Sequence, residues 1–308
     1  MSRAKRSRAG SLNQSDYEIL YDLPEGEYDR RVIGGIRTRT ILAGTSLEVI
    51  CTPVTKVDAG AKREAARRRS TPAQERLNQK NTQLRIMRLA ECNFTQEDYF
   101  LTLTWQYPVE DRGMANIEDM QRAYEAAGVP EDIGGAARAF KNFMGRVRRR
   151  VRKLGGDPAD VKYIYVIESG KDHPGGGLPA KYHIHALIHA PGLMDLDLKD
   201  LWPYGFTRCD RIDMQHEGAE RLSKYLTKQR RYERRWGRSR NLKEPVEKVS
   251  YRQVSRRRAA KVAEDVRQYG REIFEAIYRD YRCVEFPEVR YSDFMAGARI
   301  YVRMRRRD

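Results

Sequence analysis

The stretch "KYHIHALIHA" (residues 181–190) holds three of the chain's five histidines and alternates polar with apolar residues. That alternation is the period of a β-strand with one face in a core and one face turned out. Side chains two apart share a face, so His183 and His185 project together while Ile184 and Ala186 point inward. A second apolar run, "VKYIYVIE" (161–168), lies upstream across the glycine-rich "SGKDHPGGGL". Two strands joined by such a connection pair antiparallel, and this pair is the seed of a sheet.

Outward from the seed, "YFLTLTW" (99–105) and "GFTRCDRID" (205–213) predict further strands, with a short helix around 194–202. "TPAQERLNQKNTQLRIMRLAECNF" opens with Thr71 and Pro72, an N-cap and first helical residue. Two helices are expected between 116 and 153, the second carrying Phe140, Phe143, Met144 and Val147 on one stripe opposite a basic face. "HEGAERLSKYLTKQR" (216–230) reads as a helix, followed by the basic "RRYERRWGRSRNLKEP" and a helical span near 252–279. "SLEVICTPV" near the start and "YRCVEFPEVRY" and "ARIYVRM" near the end read as strands, and residues 1 to about 45 as an irregular basic arm. The expectation is an α+β protein with a central antiparallel sheet and flanking helices. It divides into a basic N-terminal arm with a short strand (1–70), a main domain (71–245) and a C-terminal helix and two-strand extension (246–308).

The charge balance narrows the partners. With 60 Lys+Arg against 43 Asp+Glu, the net charge is +17, so polyanions are attracted from a distance and nucleic acid leads. An anionic membrane is disfavoured because the basic runs have no apolar helical face beside them. Cysteines 51, 92, 209 and 283 form no CxxC pair and suit a reduced compartment. No stretch has the apolar length of a signal peptide or a membrane span, which predicts a soluble, cytoplasmic protein. There is no GxxxxGK[ST] loop, so strand separation by ATP hydrolysis would fall to a partner.

Chemistry gathers at two places. The Cα atoms of His183 and His185 should lie roughly 6.6 Å apart on a strand, whereas His189 falls roughly 13 Å beyond His185. Antiparallel pairing brings Glu168 to the start of the histidine strand, so two imidazoles and a carboxylate line one patch, a donor set that suits Mn or Mg. An amphipathic strand with surface histidines would show the same pattern. In "AERLSKYLTKQR", Tyr225 and Lys228 are helix neighbours, and Leu222 and Leu226 can anchor the helix. A tyrosine near a divalent ion and a lysine suits attack on a phosphodiester. Arg230, Arg231, Arg234, Arg235, Arg238 and Arg240 could hold flanking phosphates, and Trp236 and Tyr232 could stack on bases.

Taken together, "FLTLTW" (100–105), "YHIHALI" (182–188) and "KYLTKQ" (224–229) resemble, in that order, the three motifs of the HUH endonuclease superfamily. The likeness is to its rolling-circle replication initiators from phages, plasmids and integrated elements, and it spans about 70 to 245. The resemblance implies a ferredoxin- or RRM-like split βαβ sheet and a divalent metal ion held by His183, His185 and the upstream acid Glu168. It also implies Tyr225 as nucleophile with Lys228 as its companion, origin single-stranded DNA as substrate, and a host helicase as partner. The sequence departs from some branches of the superfamily. Arg221 stands four before Tyr225, which favours a single-tyrosine mechanism over a paired one. Relaxases usually place the tyrosine before the histidines, and Leu187 interrupts the H-x-H-x-H run that both they and histidine-triad hydrolases would continue. A non-catalytic single-strand binder and a relaxase or transposase of the same superfamily are the competing readings.

Overall fold

The computed structural model describes residues 35–54, 72–108, 117–170, 181–212, 236–291 and 298–307. Along the chain run β1 (Gly35–Ala43), β2 (Ser46–Val54), α1 (Pro72–Asn93), β3 (Tyr99–Thr104), α2 (Ile117–Ala126) and α3 (Ile133–Lys153). Then follow β4 (Lys162–Ser169), β5 (Tyr182–His189), α4 (Asp195–Asp200), β6 (Thr207–Arg211), β7 (Trp236–Arg238) and β8 (Val246–Ser250). The last elements are α5 (Arg256–Glu264), α6 (Val266–Ile277), β9 (Tyr281–Cys283), β10 (Glu288–Tyr291) and β11 (Ala298–Arg306). The class is α+β, with antiparallel sheets and flanking helices, as the alternation of patterns predicts. The strands form two sheets rather than one. Among the described residues, no helix is long and apolar enough to cross a membrane.

Two compact units divide the chain: residues 79–245 with the turn 43–45 form one, and the segments on either side form the other. The first unit holds a five-stranded sheet in the order β6-β3-β5-β4-β7, every neighbour antiparallel. Its two faces are built differently. On one, Leu101, Leu103, Ile167, Ile184, Ala186 and Ile188 pack with Phe140, Phe143, Met144, Val147 and Val151 of α3. Burying each large apolar side chain is worth about 1.5–3 kcal/mol, so this stripe docks α3 whatever charge its outer face carries. Asp132 caps the start of α3, accepting the Gly135 N–H at 2.6 Å. On the other face, Ile86, Leu89 and Ala90 of α1 and the following Phe94 pack with Phe100, Ile164, Val166 and Leu187.

The short β7 lies inside the stretch that reads from sequence only as a basic segment. Its glycine is required: a Cβ on Gly237 would stand 2.6 Å from the Tyr165 ring, which lies against the strand there.

In the second unit, β1 and β2 form a hairpin turning at Gly44, whose φ of 58° is left-handed. The sheet runs β10-β11-β2-β1-β8, and β9 also pairs with β11. One face carries a core of Ile36, Leu47, Val49, Cys51, Ile300, Val302 and Met304, packed with Ala259 and Val262 of α5 and Phe274 of α6. β1 thus occupies residues expected to belong to an irregular arm. The single helical span expected over 252–279 is two helices, broken where the Asp265 carboxylate accepts the N–H groups of Arg267 and Gln268 and starts α6.

Candidate functional site

Strand alternation assigns every residue of β5 to a face. Ile184, Ala186 and Ile188 lie in the core under α3, while Leu187 lies in the core on the α1 side. The odd-numbered residues of the strand therefore share the α1 side, and toward the start of β5 that face changes from apolar to polar. Register fixes the neighbours: Thr104, His183 and Glu168 form one row across β3, β5 and β4, and Thr102, His185 and Val166 form the next.

His185 is almost fully buried, with 4% of its surface exposed, and both ring nitrogens are engaged. Nδ1 lies 3.1 Å from the Thr102 hydroxyl and Nε2 lies 3.0 Å from Oε2 of Glu168. For a neutral ring, the consistent arrangement has the Thr102 hydroxyl donating to Nδ1 and the Nε2–H donating to the carboxylate. Glu168 thus sits opposite His183 in the ladder but reaches diagonally to His185, which its long side chain allows. His183 is half-buried in the same row. Among the described residues, no three His, Cys, Asp or Glu side chains are gathered closely enough to hold a metal ion together. The donor types fit a divalent metal: two imidazoles and a carboxylate on one sheet face. Thr102 is a site residue that the sequence reading missed. Its signal is the alternation of "FLTLTW", which turns Thr102 and Thr104 to the face opposite Leu101 and Leu103.

At the far end of β5, His189 donates from Nδ1 to Oδ1 of Asp98 at 2.6 Å. Asp98 is buried, and its second oxygen accepts the Thr95 N–H at 2.7 Å. The pair clasps the turn before β3 to the end of β5. No local pattern could reveal it, because the partners come from different strands.

Of the basic segment, Trp236 and Arg238 lie on β7, and Arg240 is exposed in the turn that follows. Trp236 pairs with Val166 and packs against the core on the α1 side. Arg238 is ion-paired to Glu244 at 2.5 Å. Tyr225, Lys228, Arg230, Arg231, Tyr232, Arg234 and Arg235 lie outside the described residues, as does the helix expected over 216–230.

The four cysteines are free thiols. Burial pushes Cys51 and Cys209 up to about 12 and Cys283 up to about 11, and it also raises Cys92. All four stay protonated at neutral pH, which makes them poor nucleophiles.

Residues 98–230 match the family model for the ORF2 type of replication-associated protein. No curated protein and no solved structure gives a significant match. The matched segment contains β3 to β6 and the positions of Tyr225 and Lys228. It supports assignment to a replication initiator family, with a role in the initiation of DNA replication.

Proposed function

We propose that this chain initiates rolling-circle replication by nicking one strand at an origin through Tyr225. What carries this reading is the placement of Glu168, His183 and His185 on one face of adjacent strands, inside the segment that matches the replication-associated family. The Tyr225 oxygen attacks the scissile phosphorus, the bond to the 3′ oxygen breaks, and that oxygen takes up a proton. The products are a 5′-phosphotyrosine link and a free 3′ hydroxyl for a polymerase to extend. Lys228 offsets charge at the phosphate, and the second transesterification, run in reverse, rejoins strands.

Glu168, His183 and His185 would hold Mn or Mg, which when bound supplies polarisation of the scissile phosphate. The contact between the Glu168 carboxylate and Nε2 of His185 supports that assignment, since a hydrogen there stands between two lone pairs of the kind a cation takes. Thr102 holds the His185 ring by its other nitrogen, as partners behind a ligand do. The substrate is single-stranded origin DNA, drawn by the chain's positive charge, and a host helicase opens the duplex ahead.

A second reading, a single-strand binder that does not cut, draws on the engagement of both His185 nitrogens within the protein. The two readings part on one experiment: a labelled origin strand incubated with Mn, followed by denaturing electrophoresis. A covalent adduct with wild type and none with Tyr225→Phe is the expected result. An adduct that persists in the Phe variant removes the tyrosine assignment, and no cleavage by wild type at any divalent-ion concentration leaves the binder.

A further inference from the structure

Phe206 is 71% exposed, and the chain around it is firmly held. Its carbonyl accepts both the Thr104 N–H at 2.9 Å and the Thr104 hydroxyl at 3.0 Å, and Gln106 N–H donates to the Tyr204 carbonyl at 2.8 Å. Between these bonds the chain comes so close to β3 that a Cβ on Gly205 would stand 2.4 Å from the Gln106 nitrogen. Beneath lies an aromatic block in which Trp202 packs edge-on against both Trp105 and Tyr204, each at 5.0 Å. The Trp202 indole N–H also donates to the Thr104 carbonyl at 2.9 Å. A large apolar ring in water, on a backbone this constrained, is a surface whose ordering cost is already met apart from two side-chain torsions.

Its direction follows from the ladder. Thr207 is buried and pairs with Leu103, which lies in the core under α3. Phe206 and Arg208, on either side of Thr207, therefore take the opposite face, the one that carries His183 and His185. Arg208 pairs with Thr102, the residue bonded to His185, and its side chain is 63% exposed. Phe206 is bonded to Thr104, the partner of His183 in the next row. Two strand spacings, about 10 Å, separate the backbone of Phe206 from that of His183.

We propose that Phe206 is a stacking platform for a base of single-stranded DNA lying across this edge of the sheet, with Arg208 beside it at the backbone phosphate. The proposal rests on the histidine face being where the strand is cut. An aromatic side chain stacks on any base, so it grips the strand without choosing a sequence, while the adjacent guanidinium supplies the charge that holds the phosphate. Together they would fix the strand next to the reacting phosphodiester rather than merely attract it.

The test is binding of a fluorescein-labelled oligo-dT strand to the full chain, measured at several salt concentrations for wild type, Phe206→Ala, Phe206→Leu and Phe206→Trp. Stacking predicts about 5- to 150-fold weaker binding for the Ala and Leu variants, an unchanged salt slope and recovery in the Trp variant. Arg208→Ala should instead flatten the slope of log K against log salt by about 0.7. Wild-type affinity in Phe206→Ala, or in Phe206→Leu, overturns the platform. Should a variant melt early by circular dichroism, photocrosslinking of wild type to 5-iododeoxyuridine strands decides: adducts on Phe206 are expected, and adducts only elsewhere overturn it. A wild type that binds and nicks while Phe206→Ala loses nothing defeats this inference alone, whereas a wild type that binds no single strands defeats the nicking reading with it.

Discussion

The two ends of β5 each join a histidine to a carboxylate, yet they are built for different ends. At the far end, Asp98 divides its oxygens between His189 and the Thr95 N–H, so the carboxylate is consumed by closing a turn. At the near end, Glu168 comes from the last residues of β4, opposite His183 and bonded to His185, with the Thr102 hydroxyl behind. The same residue pair is a fastener when the backbone uses the acid, and a candidate ligand set when side chains alone surround it. A histidine–carboxylate contact is therefore not evidence of chemistry until the acid's other partners are counted.

The two ends should part most sharply on cleavage. His183→Ala and His185→Ala should each abolish Mn-dependent nicking of an origin strand, while His189→Ala keeps most of it. Equal loss in all three would mean that both ends serve one site. Next in size is Thr102→Val, which removes the hydroxyl at Nδ1 of His185 while keeping the side chain's shape. Apparent Mn affinity, from activity against Mn concentration, should fall about 10- to 100-fold. Asp98→Ala should act on stability instead. Losing hydrogen bonds to a buried carboxylate costs about 1.5–3 kcal/mol, read from urea unfolding, with the Mn titration of the folded protein unchanged. The smallest effect is expected away from both ends. Arg240→Ala, exposed in the turn after β7, should flatten the salt dependence of single-strand binding by about 0.7, and Arg238→Ala by less because Glu244 already pairs with it.

Where the sequence was legible, each element carried its own period. β3, β4 and β5 alternate bulky apolar residues, and α3 repeats Phe140, Phe143, Met144 and Val147 at helical spacing. β1 was hidden because "GIRTRTILA" spends its alternation on Arg and Thr and resembles a basic arm. β7 has three residues around a glycine, and the exposed "VEKVS" of β8 is a strand by virtue of pairing with β1. At the site, the shared face of His183 and His185 follows from parity alone, and so does the nearness of Glu168 once β4 and β5 pair. The diagonal bond from Glu168 to His185 depends on side-chain reach, and the Asp98 clasp and the exposed ring of Phe206 depend on which strands become neighbours. None of these is a local property.

The interleaving of the two units bears on the order in which the chain is made. β2 pairs with β11 through Val49 and Val302, and β1 pairs with β8 through Thr40 and Lys248, so both partners of the β1–β2 hairpin come from beyond the other unit. At roughly 5–20 residues per second, the ribosome needs about 10–40 s to pass from the end of β2 to the start of β8. During that interval the hairpin has two open edges and half of its core, the kind of exposed strand that recruits other chains. A nascent-chain pulse that slows elongation between β2 and β8 should therefore raise aggregation, whereas slowing upstream of β1 should not. The yield of folded protein is tied to the speed of translation through a segment that contributes no strand to that sheet.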